Sequence, residues 1–214
     1  MTGEPPLFDD VFREQLASLF AWRRDVRRFR PEPPAAELID RLLDMAQLAP
    51  SVGNSQPWRV VSVESAGKRA RVRANFERCN AEALALQPGD RAELYARLKL
   101  AGLDAAPVQL AIFCDRGTNQ GHGLGLRTMP EALDYSVVGM IGSLWLAARA
   151  AGLGLGWVSI LDSDALARDL DAPPSHKLIA YLCIGWPCEE HDDPELVRHG
   201  WQDRTSEGRT VRVV

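Results

Sequence analysis

Apolar residues recur along this chain at two periods, and the alternation between them sets the expected elements. From Ala35 to Leu48, Ile39, Leu42, Leu43 and Ala46 fall at helical spacing, with Glu37 and Arg41 forming an i, i+4 pair and Pro50 as the stop. A helix is likewise predicted over Asp9 to Trp22, carried by Val11, Leu16, Leu19 and Phe20. Two more are predicted over Lys68 to Leu86 and Asp90 to Leu103, divided by Gln87-Pro88-Gly89. Strand-length runs appear at Arg59–Val63, Val108–Cys114, Leu153–Leu161 and Leu178–Gly185. Leu133 to Ala151 is apolar nearly all round, as a helix enclosed by a core should be. Within it Gly139, Gly142 and Ser143 would admit a second backbone, and Gly152 is a natural C-cap. A short helix over Asp164–Leu170 precedes the Pro173-Pro174 turn, and Thr210–Val214 alternates like a strand with no local partner. Helices interleaved with strands predict a layered α+β or α/β domain.

Composition narrows this to an ordinary globular protein. The chain has 214 residues, 46% hydrophobic and 25% charged, enough for one sizeable core. A net charge of −4 argues against nucleic acid or anionic membrane as a partner. The apolar stretch Val137–Ala148 is too short to span a bilayer, and residues 1–6 lack the pattern of a signal peptide, so a cytoplasmic location is expected. Cys79, Cys114, Cys183 and Cys188 form no C-x-x-C pair, and the four histidines show no H-E-x-x-H or i, i+4 pairing. No metal is expected.

Candidate chemistry centres on Arg23-Arg24-Asp25-Val26-Arg27-Arg28-Phe29-Arg30, five arginines within eight residues around one carboxylate. Guanidinium groups grip phosphate bidentately, yet taken alone such a cluster is more often a solvated basic turn, here ended by Pro31, Pro33 and Pro34. Ala49 to Trp58 is a loop of breakers and small polar residues; Gly53 can bring backbone N–H groups close to a ligand, and Ser51 offers a hydroxyl. The segment 117–125 spaces its glycines as G-x-G-x-G, unlike the dinucleotide fingerprint, leaving a flap over a site or a plain flexible loop. Ser159 is one of few polar groups in its apolar run.

Arg23-Arg24-Asp25-Val26-Arg27, Ala49-Pro50-Ser51-Val52-Gly53 and Gln56-Pro57-Trp58 together resemble the FMN-binding start of the nitroreductase superfamily. Further blocks are similar to the flavin-destroying 5,6-dimethylbenzimidazole synthases within it. These include Ala106-Pro107, Tyr135-Ser136, Leu144 to Ala150, Gly156-Trp157-Val158-Ser159-Ile160 and Pro194-Glu195-Leu196 before Gly200-Trp201. The resemblance covers nearly the whole chain and implies one FMN-binding domain over residues 1–214. The implied fold is α+β, with a mostly antiparallel central sheet flanked by helices and a C-terminal strand exchanged in a homodimer. Residues 117–130 would be a lid and residues 204–214 an arm reaching the partner. Arg23, Arg24, Arg27 and Arg204 would hold the phosphate and ribityl chain. Asp25 and Val26 would flank it, and Ser51, Gly53, Leu100 and Ser159 would meet the flavin. Asp25 is the implied acid/base and Ser159 a hydrogen-bond partner. Reduced FMN would be the substrate, supplied by a separate flavin reductase, with O2 as co-substrate and 5,6-dimethylbenzimidazole and erythrose 4-phosphate as products. An NAD(P)H-dependent nitroreductase or quinone reductase, or a non-catalytic FMN-binding dimer, are the alternatives.

Overall fold

The computed structural model describes residues 4–99 and 101–214. Its centre is the predicted apolar run, now β2 (Val108–Asp115), buried along almost its whole length. It pairs antiparallel with β1 (Trp58–Ser62) on one side and β4 (His176–Gly185) on the other; β4 then pairs antiparallel with β3 (Gly154–Val158). The sheet order is β1-β2-β4-β3.

Strand alternation makes two apolar faces, so helices cover both. Leu110, Ile112 and Cys114 face α5 (Ala132–Ala150) and α2 (Ala36–Ala46), in one cluster with Met140, Leu144 and Leu182. Ala111, Phe113, Tyr181 and Cys183 face the opposite way, toward Val72 of α3 (Ala66–Ala85) and Leu166 of α6 (Ser163–Asp169). Gln109, buried between layers, is fully employed: Tyr181 Oη–H donates to its Oε1 at 2.8 Å, and its Nε2–H donates to the Leu103 carbonyl at 2.9 Å.

Several elements differ from expectation. α4 (Asp90–Arg97) stops well before Leu103. Leu98 and Leu103 are both buried, and five residues apart they could not share one helix face; the helix ends at Arg97 and Leu98 is already extended. β3 ends at Val158, where its pairing to Tyr181 ends, leaving Ser159 exposed outside the strand and not part of a core run. The helix α5 is not enclosed: Tyr135, Val138, Gly139 and Gly142 form an exposed stripe along it. At its end the expected cap is present, with Gly152 at φ +78, its N–H donating to Arg149 O at 3.0 Å and the Leu153 N–H to Ala148 O at 2.9 Å. The N-terminal helix α1 (Asp10–Trp22) is capped by Asp9, whose Oδ1 accepts from the Phe12 N–H at 2.8 Å, and it buries none of its residues. Residues 210–214 form no strand within the chain, and Val211 and Val213 are exposed. Among the described residues no helix is long and apolar enough to cross a membrane.

Candidate functional site

The arginine segment leaves α1 in extended conformation and lies along the outer edge of β3. Asp25 bridges Leu155 in parallel, and the Val26 N–H donates to Leu155 O at 3.0 Å. Such close approach needs glycine on β3: a Cβ at Gly156 would lie 2.1 Å from the Val26 carbonyl oxygen, and one at Gly154 would lie 2.8 Å from the Val26 side chain. Val26 thus packs against the strand, while Asp25 and Arg27, two apart in extended chain, share the other face.

That face is the floor of a cleft of about 640 Å³, lined by Phe20, Arg23, Arg24, Asp25, Arg27 and Arg204, among others. Asp25 is held by both oxygens. Its Oδ1 accepts from the Trp157 N–H at 2.9 Å and its Oδ2 from Arg27 Nε–H at 2.8 Å. Arg27 Nη1 also donates to the Lys99 carbonyl at 2.7 Å. Arg24 donates through Nε, at 2.9 Å, and through Nη2 to the Asp192 carbonyl, and through Nη1 to Arg23 O at 2.8 Å. Arg23 stacks its guanidinium over Trp145, 4.7 Å from the ring centroid, and Trp145 Nε1–H donates to Arg24 O at 3.2 Å. Partial burial, then the charges of Arg23 and Arg204, lower the Arg24 pKa below the ordinary arginine value. Three guanidiniums crowded at one opening are a donor set for a multivalent anion such as a phosphate. The remaining arginines point elsewhere: Arg28 pairs with Glu189 at 2.6 Å and Glu195 at 3.2 Å, and Arg30 Nε–H donates to Pro187 O at 3.1 Å.

Glu195 was given no role by the sequence. It opens the short helix α7 (Glu195–Arg198), and its side chain is 8% exposed. It lies 3.2 Å from Arg28, 3.6 Å from His199 and 3.8 Å from Arg27, tying α7 to the arginine segment. The signal for it was its place in the Pro194-Glu195-Leu196 block.

Ser51 and Gly53 lie elsewhere in the same chain. Ser51 Oγ accepts from the Gln56 N–H at 3.0 Å, and the Val52 N–H donates to Ser136 Oγ at 3.0 Å, which fixes the loop on the first turns of α5. Gly53, Asn54 and Gln56 all have positive φ, a concentration of left-handed backbone found where structure serves a site. The glycine-rich segment packs on this loop, and none of its residues lines the arginine cleft. Gln120 Nε2 donates to Asn54 O at 3.0 Å, and a Cβ at Gly121 would lie 2.8 Å from Gly53 O. Ser136 and Trp145 mark the two ends: nine residues of helix separate loop from cleft by about 13.5 Å along α5. One chain therefore brings together Arg23, Arg24, Asp25, Arg27 and Arg204 and leaves Ser51 and Gly53 at the far end of the helix. Ser159 stands exposed two residues past Trp157, and Leu100 lies outside the described residues.

The two core thiols do not compete for the chemistry. Burial pushes the Cys114 and Cys183 thiols up to about 12, so neither supplies a thiolate near neutral pH. Among the described residues no group of three or more His, Cys, Asp or Glu side chains is placed to hold a metal ion.

Residues 20–186 match the nitroreductase family. The chain is 60% identical over 199 residues to the 5,6-dimethylbenzimidazole synthase of Rhodospirillum rubrum, covering 93% of this chain and 94% of that protein. It is 50% identical over 196 residues to the protein of the same name from Rhodobacter capsulatus, covering 92% and 95%. Among solved structures it is similar to oxidized iodotyrosine deiodinase bound to FMN and 3-iodo-L-tyrosine. That similarity has a TM-score of 0.69 and 26% identity, over 82% of this chain and 91% of the other.

Proposed function

Since the chain belongs to the nitroreductase family, we propose that it is a 5,6-dimethylbenzimidazole synthase, which consumes reduced FMN and O2 and releases 5,6-dimethylbenzimidazole and erythrose 4-phosphate for the lower ligand of cobalamin. The observation that carries the assignment beyond the family is Asp25, a carboxylate fixed by two donors within a cluster of phosphate-binding arginines.

The donor set fits FMN. Arg23, Arg24 and Arg204 offer charge-assisted hydrogen bonds to the phosphate, and the backbone carbonyls that now hold Arg24 are neutral acceptors a dianion can displace. Asp25, on the floor, takes the proton lost from the ribityl carbon beside the ring. Its oxygens keep lone pairs after receiving the Trp157 and Arg27 hydrogens. Reduced flavin supplies the oxygen chemistry; the protein supplies orientation, proton handling and exclusion of water. A separate reductase supplies the reduced FMN.

Completing the site needs a second copy. A two-fold axis across the small, exposed middle of α5, at Gly139 and Gly142, sets two such helices antiparallel. The Ser51–Gly53 loop of the partner then approaches the arginine cleft, and its backbone N–H groups can face the ring. The same dimer covers Phe8 and the apolar side of α1, including Phe12 and Leu16. Residues 204–214 act as the arm: the edge of β3 is closed by the arginine segment, so the open edge of β1 receives the partner's Thr210–Val214. Ser159 serves as a hydrogen-bond partner to the ring in that assembly.

The test is to mix the protein with excess reduced FMN without oxygen and then admit air. Loss of the flavin chromophore with appearance of the benzimidazole mass is expected. Quantitative recovery of oxidised FMN, or rapid NAD(P)H-driven reduction of a nitroaromatic with the flavin retained, would overturn the assignment.

A further inference from the structure

We infer that Arg27 is a positioning residue that orients Asp25 and ties it to the backbone after α4, and that it is not one of the phosphate ligands. The inference rests on the reading of Asp25 as the base. Three observations carry it. Arg27 Nε donates to Asp25 Oδ2 at 2.8 Å and Nη1 to the Lys99 carbonyl at 2.7 Å, so two of its three nitrogens are committed before any ligand arrives. Each of the two forks with which a guanidinium grips an anion includes one of those nitrogens. Second, the side chain is 12% exposed and also faces Glu195 at 3.8 Å, an acidic flank that repels a phosphate. Third, the neighbouring arginines are differently disposed: Arg24 is held by neutral carbonyls, and Arg23 stacks on Trp145. Moving Arg24 onto a phosphate breaks no ion pair, whereas moving Arg27 leaves Asp25 with the Trp157 N–H alone.

The arrangement makes the aim of Asp25 depend on two separate pieces of chain. Trp157 belongs to β3, and Lys99 lies in the extended stretch that follows α4. Arg27 is the link between them, so an incorrectly seated Leu98-Lys99 segment loosens the carboxylate without touching the phosphate arginines.

The test uses Arg27→Gln, Asp25→Asn and the double variant. Three quantities are read: the ratio of FMN to riboflavin affinity, measured with oxidised flavins; benzimidazole formed per flavin oxidised; and the Trp157 backbone amide signal in the flavin-free protein. Arg27→Gln should keep the affinity ratio within about threefold of native, shift the Trp157 amide and lower product at least about tenfold. Added to Asp25→Asn, it should lower product by less than a further factor of about three, because both act through one carboxylate. A fall of about tenfold or more in the ratio, with the Trp157 amide unmoved, would make Arg27 a phosphate ligand and overturn the inference. If Arg27→Gln does not fold, Arg27→Lys decides by the same ratio and amide, since lysine keeps the charge but cannot span Asp25 and Lys99 as a planar fork does. The ratio and the amide are read without turnover. Absence of product from native protein would therefore sink the proposed reaction while these two outcomes still judge Arg27.

Discussion

Gly156→Ala should be among the most damaging single-methyl additions to this protein. The added Cβ would sit 2.1 Å from the Val26 carbonyl oxygen and 3.3 Å from its carbon, both of them backbone, so no side-chain rotation relieves the clash. The arginine segment must lift off β3. Two hydrogen bonds are then at stake: Val26 N–H to Leu155 O at 3.0 Å and Trp157 N–H to Asp25 Oδ1 at 2.9 Å. A neutral bond contributes about 0.5–1.5 kcal/mol and one to a charged group about 1.5–3 kcal/mol. Alanine recovers about 0.4–1 kcal/mol by restricting the unfolded chain. The net expectation is a loss of about 1–4 kcal/mol, with weakened flavin binding because Arg23 and Arg24, in the same segment, are displaced together with Val26. Urea unfolding of the flavin-free protein measures the first, and flavin titration the second. Gly67→Ala is the matched control, since its Cβ would meet only Ser65 Oγ at 3.7 Å within α3. It should be neutral or stabilise by up to about 1 kcal/mol. If Gly156→Ala unfolds within about 0.5 kcal/mol of native, the tight seating of the arginine segment on β3 is refuted.

Other expectations follow from the same geometry. Arg204→Ala should lower FMN affinity about tenfold or more and leave riboflavin affinity nearly unchanged, as read by fluorescence titration of both flavins. Gly142→Arg should leave the subunit folded, because nothing lies within 4 Å of the added Cβ, yet give a monomer by sedimentation if α5 forms the two-fold contact. Asp134 is subject to burial, which raises its pKa, but hydrogen bonds from Arg116 at 2.5 Å and Lys177 at 2.8 Å more than offset this and hold it below the ordinary carboxylate range. Its stabilising contribution is therefore complete above the unfolded-state pKa and is lost as pH falls through the lower folded-state value. Asp134→Asn should cost about 1–3 kcal/mol at neutral pH, and its gap from native should narrow in strong acid, as measured by denaturant midpoints across pH.

Much of this was legible in the sequence because local patterns coincide with burial. Val108 to Cys114 reads as a buried strand and is one, since a run apolar on both faces has no other stable place than mid-sheet. Arg204 was joined to Arg23 and Arg24 by resemblance alone, across a separation in the chain that no spacing rule bridges, and it lines their cleft. The misses share a cause, which is that partners distant in the chain decide them. Ser159 looked like part of a strand because Ile160 and Leu161 continue the apolar run, yet the ladder ends at Val158. The apolar circumference of α5 implied enclosure, but the face carrying Tyr135 and Val138 is exposed among the described residues. The division of labour among five arginines depends on which acids and carbonyls the fold delivers, and Glu189, Glu195 and Asp192 all arrive from more than 160 residues away.

The most direct test of the central claim compares native protein with Asp25→Asn, titrating reduced FMN without oxygen and then quantifying flavin and benzimidazole after air is admitted to the same samples. Asparagine keeps the size of the side chain and can still accept the Trp157 N–H, but it removes the base. Near-native binding of reduced FMN, reoxidation in air and almost no 5,6-dimethylbenzimidazole are expected from the variant. Product formed at the native rate would show that Asp25 is a structural partner of Arg27 and that another group takes the ribityl proton.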